Sequence, residues 1–248
     1  MRPQAPPRAW GSMCGRFTLT TADYEHVAQA LDADFDPEAA AAWRPRFNVA
    51  PTDRHPVLVR DDGRRRLALA TWGLVAPRDE GLPRPPIHIN ARAETLAGRG
   101  LFRGPLQRLR LGVVADGFYE WTGPRQARQP IRFHRRDGRP FVFAAVATRP
   151  RTTQGTVALP RFAIVTTAPN AQVAAVHDRM PVILDDDDVD AWLSPQPDDA
   201  EPDAWLAGLT ALLHTAPDDA LVATPASPRV NDVRNDDPAC LEPPLTLF

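Results

Sequence analysis

The sequence predicts an α+β fold: one β-rich domain with peripheral helices. Three observations favour it. Short runs rich in β-branched and aromatic residues are separated by glycine and proline turns, which is typical of strands. A few other segments show the apolar spacing of helices. No repeat or extended low-complexity tract divides the 248 residues, and 194–202 is the strongest candidate for a linker.

The first predicted elements are a helix and a hairpin. Thr20 or Thr21 can cap a helix that runs to about Leu31, because apolar residues recur there at helical spacing. Further on, a turn at 61–63 precedes the apolar run 67–72, which is typical of one arm of a hairpin.

The middle and end of the chain supply the remaining elements. Four strand-like runs follow the hairpin: 111–121, 131–134, 141–148 and 162–167. Asn170 can cap a short helical turn leading to Val176. Helices are expected over 189–193 and 204–214, where aspartates near each start favour the positive helix end.

Composition restricts the class of protein. A hydrophobic share of 43% without an apolar run of about 18 residues predicts a protein that does not span a membrane. Residues 1–12 lack the apolar region of a secretory signal, so we expect a cytoplasmic protein. We also expect it to be a monomer that associates with the nucleoid. Cys14 and Cys240 could form at most one disulfide and do not resemble a metal site, so no metal or other cofactor is predicted.

The net charge of −2 conceals a strong asymmetry. Residues 1–184 contain 27 basic and 16 acidic residues, whereas 185–248 contain two basic and 15 acidic ones. A surface that binds anions is therefore expected from the first part. All 29 basic residues are arginine, which excludes a lysine Schiff-base lyase and a lysine-dependent phosphate loop.

Cys14 follows Met13, and removal of an initiator methionine at that position would leave a free α-amine beside a thiol. A 1,2-aminothiol attacks an aldehyde twice: the amine forms an imine, and the thiol then closes a thiazolidine ring. An opened abasic deoxyribose presents such an aldehyde, and an α-amine with a pKa near 7.7–8.0 is partly neutral at cellular pH. An isolated cysteine would otherwise be interpreted as a small buried hydrophobe.

Several ordered motifs favour the chemical interpretation of Cys14. They are MCGRF at 13–17, RFNVAP at 46–51, INARAET at 89–95, DGFYEW at 116–121, HDRMP at 177–181 and VNDVRN at 230–235. Together they resemble the SOS-response-associated peptidase (SRAP) family, whose members crosslink to abasic sites. The resemblance runs from residue 13 to about 243 and implies one SRAP-like domain over 13–248, with a central β-barrel-like sheet.

The resemblance implies catalytic roles for four residues. Cys14 would be the nucleophile, and Asn90 would donate a hydrogen bond to developing negative charge and hold the amine. Glu120, between two aromatic residues, would transfer protons with a raised pKa. His177 would protonate the leaving sugar oxygen or hydrogen-bond the opened sugar. Considered singly, Asn90 could instead form a turn, Glu120 could be a surface carboxylate, and His177 could be structural.

A second set of residues would bind the DNA. Arg16, Arg92 and Arg179 each lie within two residues of a proposed catalytic group and could clamp phosphates, although any of them could be an ordinary surface arginine. Asn48 and Pro51 belong to a motif that resembles the family's DNA-facing loop.

Aromatic residues are the remaining candidates for contacts with DNA. Trp72, Phe118 and Trp121 could stack on bases or pack in the core. The stretch 77–86 lacks the wedging aromatic residue that some relatives carry, which puts strand separation in doubt.

The main departure from the family pattern is the extension over residues 1–12. An acylated Cys14 cannot form a stable thiazolidine, so we expect translation to begin at Met13 or the extension to be removed, the family being associated with self-cleavage.

Two alternatives to covalent capture of single-stranded abasic DNA stay open. The first is a thiol peptidase in which His177 activates Cys14. The second is a module that binds single-stranded nucleic acid without a covalent bond.

Overall fold

Fourteen strands and seven α-helices lie in the part of the chain that the computed structural model describes, residues 14–34, 36–98, 100–150 and 158–244. The helices are α1 (Tyr24–Ala30), α2 (Pro37–Ala42), α3 (Ala93–Leu96), α4 (Arg103–Arg108), α5 (Ala171–Ala174), α6 (Asp188–Leu193) and α7 (Pro202–Ala211). The extension over 1–12 lies outside the described residues.

The strands follow one another along most of the chain. They are β1 (Phe17–Leu19), β2 (Ala33–Asp34), β3 (Arg46–Val49), β4 (Arg54–Asp61), β5 (Arg64–Trp72), β6 (Asn90–Arg92), β7 (Arg110–Ala115), β8 (Gly117–Thr122), β9 (Gln129–His134), β10 (Phe141–Thr148), β11 (Arg161–Thr167), β12 (Met180–Pro181), β13 (Ile183–Leu184) and β14 (Val222–Pro225). The α+β class and its predominance of strands are therefore confirmed.

The strands form two sheets. The smaller has the order β14-β9-β8-β1-β3, and the larger has the order β12-β11-β10-β7-β4-β5-β2, with β13 beside β10 and β6 beside β11. Strand β5 also pairs in parallel with β11, through Thr71 opposite Arg161 and Trp72 opposite Phe162. The pairings β11-β10-β7-β4-β5-β11 thus form a ring, which fits the expected barrel-like sheet.

Both faces of the larger sheet are buried. Along β10, Phe141 and Phe143 join a core cluster that includes residues of the smaller sheet, whereas Val142 and Ala144 join a cluster with α1, α6 and α7. Successive side chains of a strand point to opposite faces, so covering both faces requires the continuous apolar run of β10. The alternation explains why this strand matches its predicted bounds, 141–148.

Two predicted elements differ from the structure. Helix α1 begins at Tyr24, because the Asp23 carboxylate caps it by accepting from the backbone N–H of His26. The predicted strand 111–121 is two strands, β7 and β8, which belong to different sheets. Asp116 separates them: its carboxylate accepts hydrogen bonds from the hydroxyls of Thr18 and Thr20, 2.6 Å each.

Apart from β10, the remaining predicted elements occur with ends shifted by a few residues. Asn170 caps α5 by accepting from the N–H of Val173, as expected. The hairpin of β4 and β5 turns at 61–63, where Asp62 and Gly63 have φ of 46° and 80°. Among the described residues, none of the helices combines the length and the apolar character that crossing a membrane requires.

Candidate active site

The candidate nucleophile, Cys14, lies three residues before β1 and is only 2% exposed. Strand β1 pairs with β8 through Phe17 opposite Phe118, and continuing that antiparallel register puts Gly15 opposite Glu120. The pairing therefore brings the Glu120 carboxyl close to Cys14. Burial, followed by the nearby Glu120 carboxyl, raises the pKa of the Cys14 thiol well above its ordinary value.

Asn90 reaches the same place from the larger sheet. It begins β6, which lies parallel to β11 with Asn90 opposite Ile164. The Asn90 amide nitrogen donates to the backbone carbonyl of Cys14 at 3.2 Å. Its amide oxygen is buried and has no hydrogen-bond partner among the described residues. Asn90 thus holds the backbone of Cys14 with one end and keeps an acceptor unused at the other.

Glu120 is buried on β8, with 3% exposure. Removal from water disfavours the carboxylate and raises its pKa to about 7, although the neighbouring His177 and the Cys14 side chain lower it in part. A carboxyl with this pKa exists in both protonation states near neutral pH. It is therefore suited to accepting and donating protons there.

His177 follows α5 and also lies close to Glu120. Its Nε2 lies 3.9 Å from a Glu120 carboxylate oxygen, and its Nδ1 accepts from the backbone N–H of Arg179 at 3.0 Å. The same Nδ1 lies 3.1 Å from the backbone carbonyl of Arg179. The backbone of Arg179 therefore orients the ring, with Nε2 directed toward Glu120.

The structure therefore brings the four predicted catalytic residues together. Asn90 Oδ1, Glu120 Oε1 and His177 Nε2 are all buried without a hydrogen-bond partner in the described part of the chain, as is Arg179 Nε. Buried polar groups are ordinarily hydrogen-bonded, because leaving one unpaired costs about 1–3 kcal/mol. Several such atoms in one cluster indicate a site shaped for a polar ligand rather than a core.

Arg179 is engaged within the protein. Its guanidinium makes a bidentate ion pair with Glu94, at 2.6 and 2.9 Å, and also donates to the carbonyl of Thr166 at 2.6 Å. The Arg179 hydrogen bond is the main cause of a lowered pKa of the Glu94 carboxyl. A phosphate would have to replace or share this carboxylate, which makes Arg179 a different kind of contact from the free clamp that the sequence suggested.

Arg16 and Arg92 differ in how readily their guanidinium groups could bind a phosphate. Arg16 is partly buried and donates to the Asn48 amide oxygen at 2.9 Å and the Val230 carbonyl at 2.7 Å. Arg92 is exposed at the end of β6 and makes no side-chain hydrogen bond or ion pair within the described residues. Of the three predicted phosphate contacts, Arg92 is the one with a free guanidinium beside the site.

Asn48 lies inside the protein, whereas its motif suggested a loop facing DNA. It is 1% exposed, and its amide nitrogen donates to the carbonyls of Val230, Asp232 and Asn235. The amide matches three carbonyls of one turn, so it holds the C-terminal segment against β3. Pro51, next to it in the motif, is partly exposed.

We expect Asn48→Ala to lower the free energy of unfolding by about 2 kcal/mol, because the C-terminal segment loses the Asn48 amide donor and Arg16 loses the amide oxygen to which it donates. Urea denaturation of both proteins measures the change. Gln172→Ala, which removes an exposed amide from α5, is the control and should change stability by less than about 0.5 kcal/mol. An equally small effect of Asn48→Ala would show that the segment does not depend on this side chain.

The three aromatic residues that could stack on bases differ in how deeply they are buried. Trp72 and Phe118 are fully buried in the core between the sheets. Trp121 is partly exposed, donates to the Asn231 side chain at 2.7 Å and lies under the guanidinium of Arg16. Trp121 is thus the one of the three that a base could reach.

One group of potential metal ligands occurs elsewhere among the described residues. Asp185, Asp188 and His214 bring one ligand atom each within 4.8 Å of one another. Two of the three are exposed, and both carboxylates lie 3.7 Å from His214, so the carboxylates can pair with a protonated His214 ring.

Sequence reasoning missed the partners of the site. Glu94 and Thr166 hold Arg179, and neither was assigned a role. Glu94 belongs to the motif at 89–95, and the opposite charge in the motif at 177–181 was the available signal. Contacts between residues 85 positions apart require the fold before they can be read.

Three comparisons relate the chain to known proteins. The family model for SOS response associated peptidase (SRAP) matches residues 13–233. The abasic site processing proteins YoqW and YoaM of Bacillus subtilis (strain 168) are 36% and 35% identical over 234 residues, which cover 93% of this chain and 99% and 98% of theirs. A crystal structure of a Bacteroides thetaiotaomicron protein matches with a TM-score of 0.76 and 20% identity, covering 94% of this chain and all of that one.

Proposed function

This chain belongs to the SOS response associated peptidase family, and from that premise we propose that it captures abasic sites in single-stranded DNA through Cys14. The form that acts begins at Cys14, so that its amine and thiol are both free. The names of the bacterial relatives, abasic site processing proteins, support the choice of lesion.

One observation carries the proposal. In the described part of the chain, a buried thiol lies beside Asn90, Glu120 and His177, each of which has one buried polar atom without a hydrogen-bond partner. An abasic sugar in its open form brings an aldehyde and hydroxyls, which can both accept and donate hydrogen bonds. Such a ligand suits a mixed set of acceptors and donors better than an apolar molecule does.

The reaction is a condensation in two additions. The α-amine attacks C1′ of the open sugar to give a carbinolamine, which loses water to form an imine. The Cys14 sulfur then adds to the imine carbon while the nitrogen gains a proton, closing a five-membered ring. Overall the protein and the DNA are joined with loss of one water and no oxidation or reduction.

Glu120 and His177 supply the protons that these additions need. The raised pKa of the Cys14 thiol keeps it protonated, so a base must accept its proton as sulfur attacks. Glu120, with a pKa of about 7, is the neighbouring base, and it can return a proton when the carbinolamine loses water. His177, when it carries a proton on Nε2, stabilises the charged form of the same carboxyl.

The thiol-peptidase alternative receives less support. Such an enzyme needs a thiolate formed beside a histidine, whereas burial raises the Cys14 pKa. In the described part of the chain, the His177 ring faces Glu120 and makes no hydrogen bond with Cys14. An aminothiol does not require a preformed thiolate, because its amine makes the first attack.

Intact-mass spectrometry tests the proposal. The form beginning at Cys14 is incubated with an oligonucleotide that carries one abasic site, and an undamaged oligonucleotide of the same sequence is the control. We expect a species with the summed masses minus one water, present only with the lesion. If protein and lesion DNA are recovered unlinked after complete incubation, the covalent proposal is wrong.

A further inference from the structure

A second concave site lies at the other end of β10 and β11 from His177. It is a groove of about 240 Å³ between the ends of β4, α4, β10 and α6. We call it the arginine groove, after its charged lining residues: Arg60, Asp61, Arg66, Arg108, Arg110 and Arg149. Leu109, Pro160 and Pro195 are among its apolar walls.

The positive charge of the arginine groove is only partly neutralised. Asp61 pairs with Arg66 at 2.8 Å, and Arg60 pairs with Asp190 at 3.1 Å. Arg108 and Arg149 have no carboxylate partner in the described residues. The groove therefore contains five guanidinium groups and two carboxylates at or beside it.

Arg110 adds a fixed charge at the base of the groove. It is 6% exposed, and among the described residues it donates to four backbone carbonyls, those of Leu106, Gln107, Trp192 and Ser194. These bonds keep its guanidinium in place without cancelling its net charge. A neighbouring donor, Nε of Arg66, is buried and unpaired among the described residues.

From this arrangement we propose that the arginine groove binds phosphate groups. A guanidinium presents paired N–H donors that match phosphate oxygens, and several converging on one concave surface favour a multiply charged anion. The groove is large enough for a phosphate and part of the group that carries it, and its proline and leucine walls can contact that group. The source is a nucleic-acid strand or a free phosphate compound.

The arginine groove is separate from the Cys14 site. Arg161 at one end of β11 and Thr166 at the other are about 17 Å apart, at roughly 3.3 Å per residue. The groove lies by the first end, and Arg179 contacts Thr166 at the second. The inference therefore does not rest on the proposed function of Cys14.

Calorimetry with inorganic pyrophosphate and anisotropy with a labelled, undamaged oligothymidylate test the groove. The test variant is Arg108→Gln/Arg149→Gln. The matched control, Arg136→Gln/Arg139→Gln, removes the same charge from two exposed residues of the turn between β9 and β10. Neither probe has an aldehyde, so the chemistry of Cys14 does not enter.

We expect the test variant to bind pyrophosphate at least tenfold more weakly, with the control within twofold of the original protein. If the groove binds a nucleic-acid strand, the slope of log K against log[salt] for oligothymidylate binding should also become shallower by about 1.4. This corresponds to roughly 0.7 for each of the two lost phosphate contacts. An unchanged slope assigns the groove to free phosphate compounds. Pyrophosphate binding that is absent from the original protein, or equal in both double variants, overturns the proposal. Arg108→Lys/Arg149→Lys, which keeps the charge, should restore part of the affinity.

Discussion

Replacing Cys14 by serine should reduce the yield of the abasic-site adduct to background. Serine keeps the α-amine, so a reversible imine can still form, but its hydroxyl does not close a durable ring with the imine carbon. The adduct that survives denaturation should therefore be lost, because an imine without the ring hydrolyses when the protein unfolds. Denaturing electrophoresis with an abasic oligonucleotide measures it.

The chain contains a matched control for this experiment. Cys240 is its other cysteine, also buried, and its thiol contacts the Asn235 carbonyl at 3.5 Å. Cys240→Ser keeps a donor there and should form the adduct normally. A protein that retains Ser12 and Met13 should fail like Cys14→Ser, because its nitrogen is an amide. Durable capture by Cys14→Ser would disprove the assignment of the nucleophile, and intact-DNA binding should be equal in all these proteins.

Glu120→Gln should slow adduct formation about 100-fold at pH 7 while leaving affinity for undamaged DNA within twofold. The amide keeps the shape of the buried side chain but cannot accept the thiol proton, and proton transfer of this kind contributes about 100-fold or more. Single-turnover rates measure the change. Glu38→Gln, at an exposed position of α2, is the control with the same chemical change. Equal losses in binding and rate would indicate a structural carboxyl instead.

The pH dependence of Glu120 gives an independent test. The original protein should form adduct faster as pH rises through about 7, because Glu120 then becomes a base. In Glu120→Gln the rate should increase only as the α-amine loses its proton, at a pH of about 8. The contribution of Glu120 to the free energy of unfolding has the opposite pH dependence. Because folding raises this pKa above its ordinary 4.5, the contribution to stability is complete below about 4.5 and lost as pH rises through about 7. Urea midpoints of Glu120→Gln should vary less across that interval.

The order of apolar and polar residues within a segment predicted those elements whose bounds depend on that segment alone. Strand β10 has the expected bounds, because a strand covered on both faces needs an unbroken apolar run. The break between β7 and β8 was missed, since apolar residues continue on both sides of Asp116. Its cause is Thr18 and Thr20, almost 100 positions earlier, and no local pattern encodes such a contact.

The motifs also predicted part of the candidate site, whereas the roles of other motif residues required the structure. Ordered motifs identified Cys14, Asn90, Glu120 and His177, which the structure places together. The same motifs could not separate a residue that faces a ligand from one that holds the motif in place. Asn48 was expected to face DNA because its neighbours resemble a family loop, but the carbonyls that it binds come from residues 230–235.

The hydrogen bonds of Asn48 can form only late in the biosynthesis of the chain. They join residue 48 to carbonyls at 230, 232 and 235, so the ribosome must have synthesised nearly the entire polypeptide before they can form. Contacts between such distant positions form late, because the intervening chain must first be ordered. A nascent chain therefore carries the candidate nucleophile Cys14 long before the segment that supports β3, and the hydrogen bonds of Asn48 form only when synthesis is nearly complete.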